Sequence, residues 1–206
     1  MQLYHYFRSS ASYRVRIALN LKGLAHEKTQ IHLLKQGGEQ LQPEFRAINP
    51  DGLVPALVDD GQIINQSLAI IEYLDETHPQ VPLLPASALN RAYVRAIALS
   101  IACDIHPINN LRILNYLKDQ LGQNQEAVDS WYRHWIEAGF TTLEKLLPDT
   151  PFAGGNAPNL VDACLVPQMY NARRFKTDLT PFPKVVAMAD RAGALPAFLE
   201  AAPPLN

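Results

Sequence analysis

The 206 residues suffice for one large domain or two small ones, and a 48% apolar fraction suffices for a real core. Eighteen basic against 20 acidic side chains leave a formal net charge of −2 with the basic residues dispersed, which argues against nucleic acid as a partner. No stretch approaches the roughly 20 apolar residues that span a bilayer. The opening MQLYHYFRSS lacks the charged onset and apolar run of a signal peptide, so no membrane partner and a cytoplasmic location are expected.

Leu3–Phe7 is short and aromatic-rich and reads as a strand. A serine-rich run follows, with Ser10 or Ser12 expected to cap a helix over Tyr13–Lys22 that ends at Gly23. His26–Leu33 is a second strand, and this order predicts a right-handed parallel crossover. Gly37–Ala47 reads as a weak helix interrupted by Pro43, and Asn49–Gly52 as a turn. Pro55–Val58 and Gln62–Asn65 flank Asp59-Asp60-Gly61 as a hairpin. Ser67–Glu76 is a helix with Leu68, Ile71 and Leu74 inward. His78–Ser87 carries Pro79, Pro82 and Pro85 and reads as a linker.

Beyond the linker the pattern is helical. Arg91–Leu121 is long, with Pro107 expected to kink it. Gln125–Leu147, Asn159–Phe175, Lys184–Arg191 and a short segment near Pro196–Glu200 complete the chain. The layout is an α/β domain over 1–78, a linker over 79–87 and an all-helical domain over 88–206, and by itself it names no function.

Five stretches have the residue types for chemistry. Arg8-Ser9-Ser10-Ala11-Ser12 joins strand to helix, where unpaired N–H groups and the helix dipole favour an anion, a thiolate included. Ser9 or Ser10 can donate to that anion, although such a run also serves as an ordinary cap. Val54-Pro55 opens a strand, as either a plain edge proline or a cis bond. Gln66-Ser67 starts a strong helix and suits a carboxylate or a simple cap. His106, Asn109 and Arg112 are spaced at three, which places them on one broad helix face or on a helix end reaching solvent.

Asn159-Leu160-Val161-Asp162 reads as a capping box, which makes Asp162 a folding residue. Arg173 and Arg174 end that helix, where cations suit the dipole, an account that covers one of the two. Cys103 and Cys164 show neither CxxC nor zinc spacing, so no disulfide framework and no metal site are expected.

In this order the pieces resemble the zeta class of glutathione transferases, which includes maleylacetoacetate and maleylpyruvate isomerases. FRSSASYRVRIALNLKG, NPDGLVPAL, QSLAIIEYLDE, CDIHPINNLRIL and DACLVPQMYNARRFKTDLTPFP carry the resemblance over residues 6–183. QSLAIIEYL is shared by many glutathione-binding relatives, whereas the serine turn before RVRIAL and the late NARRFKTDLTPFP are more specific.

The resemblance implies a thioredoxin-like α/β N-terminal domain, an all-α C-terminal domain, a homodimer and glutathione as cofactor. It implies that Ser9, with Ser10 beside it, serves the glutathione sulfur, and that Val54, before a cis Pro55, pairs with the cysteinyl backbone. Gln66 and Ser67 would hold the γ-glutamyl end, and Gln40 would lie near the glycyl carboxylate. Arg8 and Arg174 would line the pocket of a small acidic substrate, and His106, Asn109 and Arg112 fall at pocket positions of the maleylpyruvate branch.

Ala11 stands where the family usually has cysteine, so no protein thiol acts there. The implied chemistry is reversible thiolate addition to a maleyl double bond, giving the trans isomer. The alternatives are a conjugating or dehalogenating glutathione transferase and a non-catalytic binding module of the same fold.

Overall fold

β1 (Gln2–His5) pairs in parallel with β2 (Glu27–Gln30) and antiparallel with β3 (Ala56–Asp59), which pairs antiparallel with β4 (Gln62–Asn65). A computed structural model describes residues 1–204 and places these strands in one sheet of order β2-β1-β3-β4. Helix α1 (Ser10–Leu21) crosses between β1 and β2, as a parallel pair requires. The short α2 (Pro43–Arg46) precedes β3, and α3 (Ser67–Thr77) follows β4. Leu3, Ile17, Leu19, Leu57, Ile70 and Leu74 are fully buried in this unit. Truncating such a leucine to alanine typically costs about 2–5 kcal/mol.

Register decides where the loops meet. Tyr4 lies opposite Ala56, Ala56 opposite Asn65, and His5 beside Gln30. The turn after β1, the approach to β3, the exit from β4 and the segment after β2 therefore share one end of the sheet.

Buried charge ties the helices together. Lys22 Nζ meets Asp75 Oδ1 at 2.8 Å with both side chains nearly excluded from solvent. The same ammonium donates to the carbonyls of His78 and Val81, and Asp75 accepts the Leu83 N–H at 2.7 Å. The end of α1 thus holds the proline-rich segment that follows α3.

The second compact unit spans Leu84–Ala194. It contains α4 (Ala88–Leu99), α5 (Leu111–Asp119), α6 (Gln125–Leu146), α7 (Leu160–Arg174) and α8 (Pro183–Gly193). Helix α7 is buried from Leu160 through Met169 and packs against α4 and α8. Its start is the expected capping box: Asn159 Oδ1 accepts the Val161 N–H, and Asp162 accepts the N–H groups of Asn159 and Ala153. Burial pushes the Asp162 carboxyl up to about 6 against the pull of those donors. At α8 the Glu144 carboxylate accepts the N–H groups of Lys184 and Val185, both at 2.9 Å.

Four expectations need correction. Helix α1 begins at Ser10 with Ser9 as its cap, because the Ser9 side chain accepts the Ser12 N–H. Gly37–Ala47 is two 3₁₀ turns and the short α2, since Gly38 (φ 105°) and Pro43 interrupt any longer helix. The long helix over Arg91–Leu121 is broken rather than kinked. A π-helical turn, Ser100–Ile105, follows α4, and Asn110 restarts the chain by accepting the Arg112 N–H. Pro107 has no N–H to continue the first helix. Gly139 lets α6 approach Ile105 so closely that any side chain there would collide.

The last correction concerns the domain over 88–206: among the described residues, those from Leu195 to Pro204 belong with the first unit. Helix α9 (Pro196–Ala201) packs on α1, where Tyr13 Oη donates to the Phe198 carbonyl and Asn20 to that of Ala197. Fully buried Phe198 is the apolar reason.

Asp75→Ala would leave the Lys22 ammonium buried without its carboxylate. Chemical denaturation should register a loss of about 3–5 kcal/mol. His5 gives a pH signature. Its Nδ1 faces Arg16 Nη1 at 3.2 Å, and a guanidinium only donates, so Nδ1 accepts and the proton sits on Nε2. Burial first, then the charges of Arg16, Lys28 and His26, hold the imidazole down at about 4 instead of 6.5. The unfolded chain takes that proton near pH 6.5 and the folded chain refuses it until about 4, so this stability is lost as pH falls through that window. Asp162, with its raised carboxyl, works in the opposite sense over part of the same range. The comparison with His5→Gln isolates the histidine: the variant should lose less stability between pH 6.5 and 4 in a thermal melt series.

Candidate functional site

The turn between β1 and α1 is built from interlocking serines. The Ser9 N–H donates to the Tyr6 carbonyl at 3.1 Å, and the Ser12 N–H donates to Ser9 Oγ at 3.2 Å. Fully buried Ser12 returns the favour, its hydroxyl accepting the Tyr6 N–H at 3.4 Å. Ser9 Oγ is an acceptor in this cap, so its own proton can point away from the helix. Ser9 is half-buried and Ser10 is buried. Arg8 is half-buried, with its guanidinium 5.2 Å from the centre of the Phe7 ring.

Three further features share this end of the sheet. The Val54–Pro55 bond is cis, as the resemblance implies. Val54 clusters with Tyr6 and Phe45. Gln66 caps α3 at φ +69°, a backbone region a non-glycine residue occupies at a cost of about 1–3 kcal/mol and one that concentrates at binding sites. Its side chain is exposed and makes no cap bond, while buried Ser67 accepts from Arg14 Nη1 at 3.4 Å. Gln40 Nε2 donates to the Leu33 carbonyl at 3.5 Å. Two buried acceptors, Gln40 Oε1 and Asn65 Oδ1, have no hydrogen-bond partner among the described residues. Together these offer a helix N-terminus with a hydroxyl, a second N-terminus with polar side chains, and two spare acceptors.

The helical unit carries a cationic cavity of about 370 Å³ between α5, α6 and the end of α7. Lys118, Arg133, Arg174 and Lys176 line it against a single carboxylate, Asp129. Asp129 accepts from Gln125, which accepts from Lys118. The Arg174 guanidinium lies 4.9 Å from the Phe175 ring centre, and Phe175 stacks on Tyr132 at 3.5 Å. Burial pushes the Tyr132 phenol well above its ordinary range. Arg173 instead pairs with Asp190 at 2.6 Å, so the two arginines part company.

His106, Asn109 and Arg112 do not line this cavity. The break at Pro107 also removes them from a common helix face. His106 follows the π-helical turn, Asn109 is buried and donates to the Tyr132 carbonyl at 3.0 Å, and Arg112 is exposed in the first turn of α5. Sequence reasoning missed Arg133, Lys118 and Lys176, and also Arg14 and Arg16. The signal for the last two was present: two arginines in an otherwise apolar helical run. No group of acidic, histidine or cysteine side chains among the described residues could hold a metal, and no disulfide joins Cys103 and Cys164. No helix among the described residues is long and apolar enough to cross a membrane.

Known proteins bear directly on this arrangement. A family model for the glutathione S-transferase N-terminal domain matches residues 3–82. A probable maleylacetoacetate isomerase of Vibrio cholerae is 54% identical over 98% of this chain and 94% of its own. The holo structure of a bacterial maleyl pyruvate isomerase, a zeta-class glutathione S-transferase, superposes with a TM-score of 0.95 at 48% identity, over 98% of this chain and 97% of that one. The maleylacetoacetate isomerase of Methylobacterium extorquens AM1, with bound malonate and glutathione, gives 0.93 at 39% identity over 98% and 96%. With identity near one half along almost the whole of both chains and the same fold, this chain belongs to the zeta-class glutathione transferases, the family of the maleylacetoacetate and maleylpyruvate isomerases.

Proposed function

We propose that the protein is a glutathione-dependent cis–trans isomerase of maleylacetoacetate or maleylpyruvate. The observation that carries this reading is the Ser9 cap, a hydroxyl at the positive end of α1 on the sheet end shared by Val54-Pro55 and Gln66-Ser67. The residues fit a tripeptide thiol. The spare acceptors of Gln40 and Asn65 suit its N–H groups, and the start of α3 at Gln66 and Ser67 suits its γ-glutamyl carboxylate. The Val54 backbone suits its cysteinyl backbone.

Held there by Ser9, Val54, Gln66 and Ser67, glutathione would supply a thiolate suited to reversible addition to an activated cis alkene, the chemistry that permits rotation about that bond. A thiol ordinarily titrates near 8.5 and is held lower at a helix N-terminus. The Ser9 hydroxyl, with Ser10 beside it, donates toward the sulfur, and the end of α1 favours the charge. Arg8, Arg174 and Arg112 hold substrate carboxylates, for which planar guanidinium forks are suited. The same cations offset charge that develops on the substrate's carbonyl oxygen. His106 donates a hydrogen bond or a proton to substrate, and Asn109 supports that region through the Tyr132 carbonyl. With Ala11 in the turn, no protein thiol takes part there.

The same reading includes a homodimer in the cytoplasm. Helix α4 presents Leu89 and Tyr93, four residues apart on one face and both 63% exposed, to solvent, an apolar pair suited to a second copy.

The test is turnover in the presence of glutathione. A maleyl diacid should isomerise faster than a neutral aryl halide is conjugated, and the reverse order would make the protein a conjugating transferase. Ser9→Ala should slow isomerisation about a hundredfold while the far-ultraviolet dichroism stays the same. Unchanged activity would move the sulfur-stabilising role elsewhere. Arg174→Ala should raise KM for the diacid about tenfold with an unaltered melting temperature. A lowered melting temperature with the same KM would make Arg174 structural.

A further inference from the structure

Helix α1 buries two arginines, Arg14 at 1% exposure and Arg16 at 4%. A buried guanidinium persists only where acceptors hold it, and those of Arg16 point at the catalytic turn. Its Nη2 donates to the Phe7 carbonyl at 3.0 Å, and its Nη1 to the Tyr6 carbonyl at 3.4 Å and to His5 Nδ1. Its Nε donates to the Ala201 carbonyl, at the end of α9, at 2.9 Å. Three consecutive residues leading into Arg8-Ser9 are therefore bonded to one side chain.

The Tyr6 carbonyl is shared, since it also accepts the Ser9 N–H at 3.1 Å. Arg16 thus braces the bond that sets the backbone of Ser9. With the Tyr6 and Phe7 carbonyls turned toward the guanidinium, planar trans peptides turn the N–H groups of Phe7 and Arg8 the opposite way.

The tie to α9 is redundant, because Tyr13 and Asn20 also hold Phe198 and Ala197. Among the described hydrogen bonds, those from Arg16 are the side-chain donations that reach the carbonyls of Tyr6 and Phe7.

We propose that Arg16 is a positioning residue of the thiol site. It fixes the Tyr6–Ser9 turn so that the Ser9 hydroxyl and the end of α1 meet the sulfur, and it lowers the thiol's pKa without touching it. The inference rests on the reading of Ser9 given above and adds the group that sets its geometry.

The experiment titrates enzyme-bound glutathione through the ultraviolet absorption of its thiolate, with calorimetric binding of S-methylglutathione, whose sulfur cannot ionise, as the control. Arg16→Met should raise the bound thiol's pKa by about one unit, roughly tenfold less thiolate at a pH below it. S-methylglutathione should bind within about threefold of the wild type, since its peptide contacts are made elsewhere. Arg16→Lys keeps the charge but cannot reach both carbonyls and the α9 end together, so it should fall between. If Arg16→Met does not fold, Arg16→Lys is read by the same two measurements.

An unchanged thiol pKa in a folded variant overturns the proposal. Loss of S-methylglutathione binding in parallel with the pKa change overturns it too, by making Arg16 a general structural residue. An ordinary thiol pKa in the wild type itself would instead remove the Ser9 reading, and this inference with it.

Discussion

Hydrogen-bond register across the four strands places the polar groups of the first unit. Tyr4, Ala56 and Asn65 lie in one row, and β2 runs alongside β1 in the same direction. Each segment leaving or entering that row is thereby sent to the same end of the sheet. Slipping one strand by a single residue would turn its apolar side chains to the wrong face, so burial of Leu3 and Leu57 enforces the alignment that the site needs. The serine turn, Val54 and Gln66 are neighbours for that reason, although 45 residues separate Ser9 from Val54 in sequence.

Charge inside α1 is the second organising feature. A helix packed against a sheet and a second helix has little room for cations, yet α1 places Arg14, Arg16 and the Lys22 side chain out of solvent. Each is directed at a seam: Arg14 at the start of α3, Arg16 at the turn before α1 and at α9, Lys22 at the segment after α3. Desolvation makes such groups expensive unless acceptors hold them, and the carbonyls and carboxylate that hold Arg16 and Lys22 tie their seams to the integrity of the helix. His5 takes part in the same arrangement and stays neutral, first because it is buried and then because the Arg16 guanidinium faces its acceptor nitrogen.

The helical unit follows a different logic. Its centre is α7, buried over its first two-thirds, with Asp162 capping its start and also holding the Ala153 N–H. At its other end Arg174 lines a cavity rich in cations while its neighbour Arg173 is paired with Asp190. The π-helical turn and the restart at Asn110 divide what the hydrophobic pattern joins into one helix, and they place His106, Asn109 and Arg112 in three different backbone settings.

Local pattern was sufficient for the strand–helix–strand opening, the β3–β4 hairpin, the α7 capping box and the change from mixed to helical architecture. Each depends on residues close in sequence, through capping, turn chemistry or periodicity. The proposed motif residues Ser9, Val54, Gln66 and Ser67 came from resemblance, which supplies the long-range pairing that their spacing cannot. What stayed hidden was decided by contacts between distant segments. Arg14 and Arg16 differ from surface arginines only through the carbonyls and hydroxyls that the fold brings to them. Helix α9 joins the first unit because Phe198 is buried there beside α1. Arg173 and Arg174, adjacent and identical in sequence, acquire different roles because their side chains meet different neighbours. The sequence by itself determined most of the elements and the chemical types at the candidate site. Only the tertiary structure decided which charges are buried and what they hold, because desolvation and hydrogen-bond geometry depend on partners that no local pattern specifies.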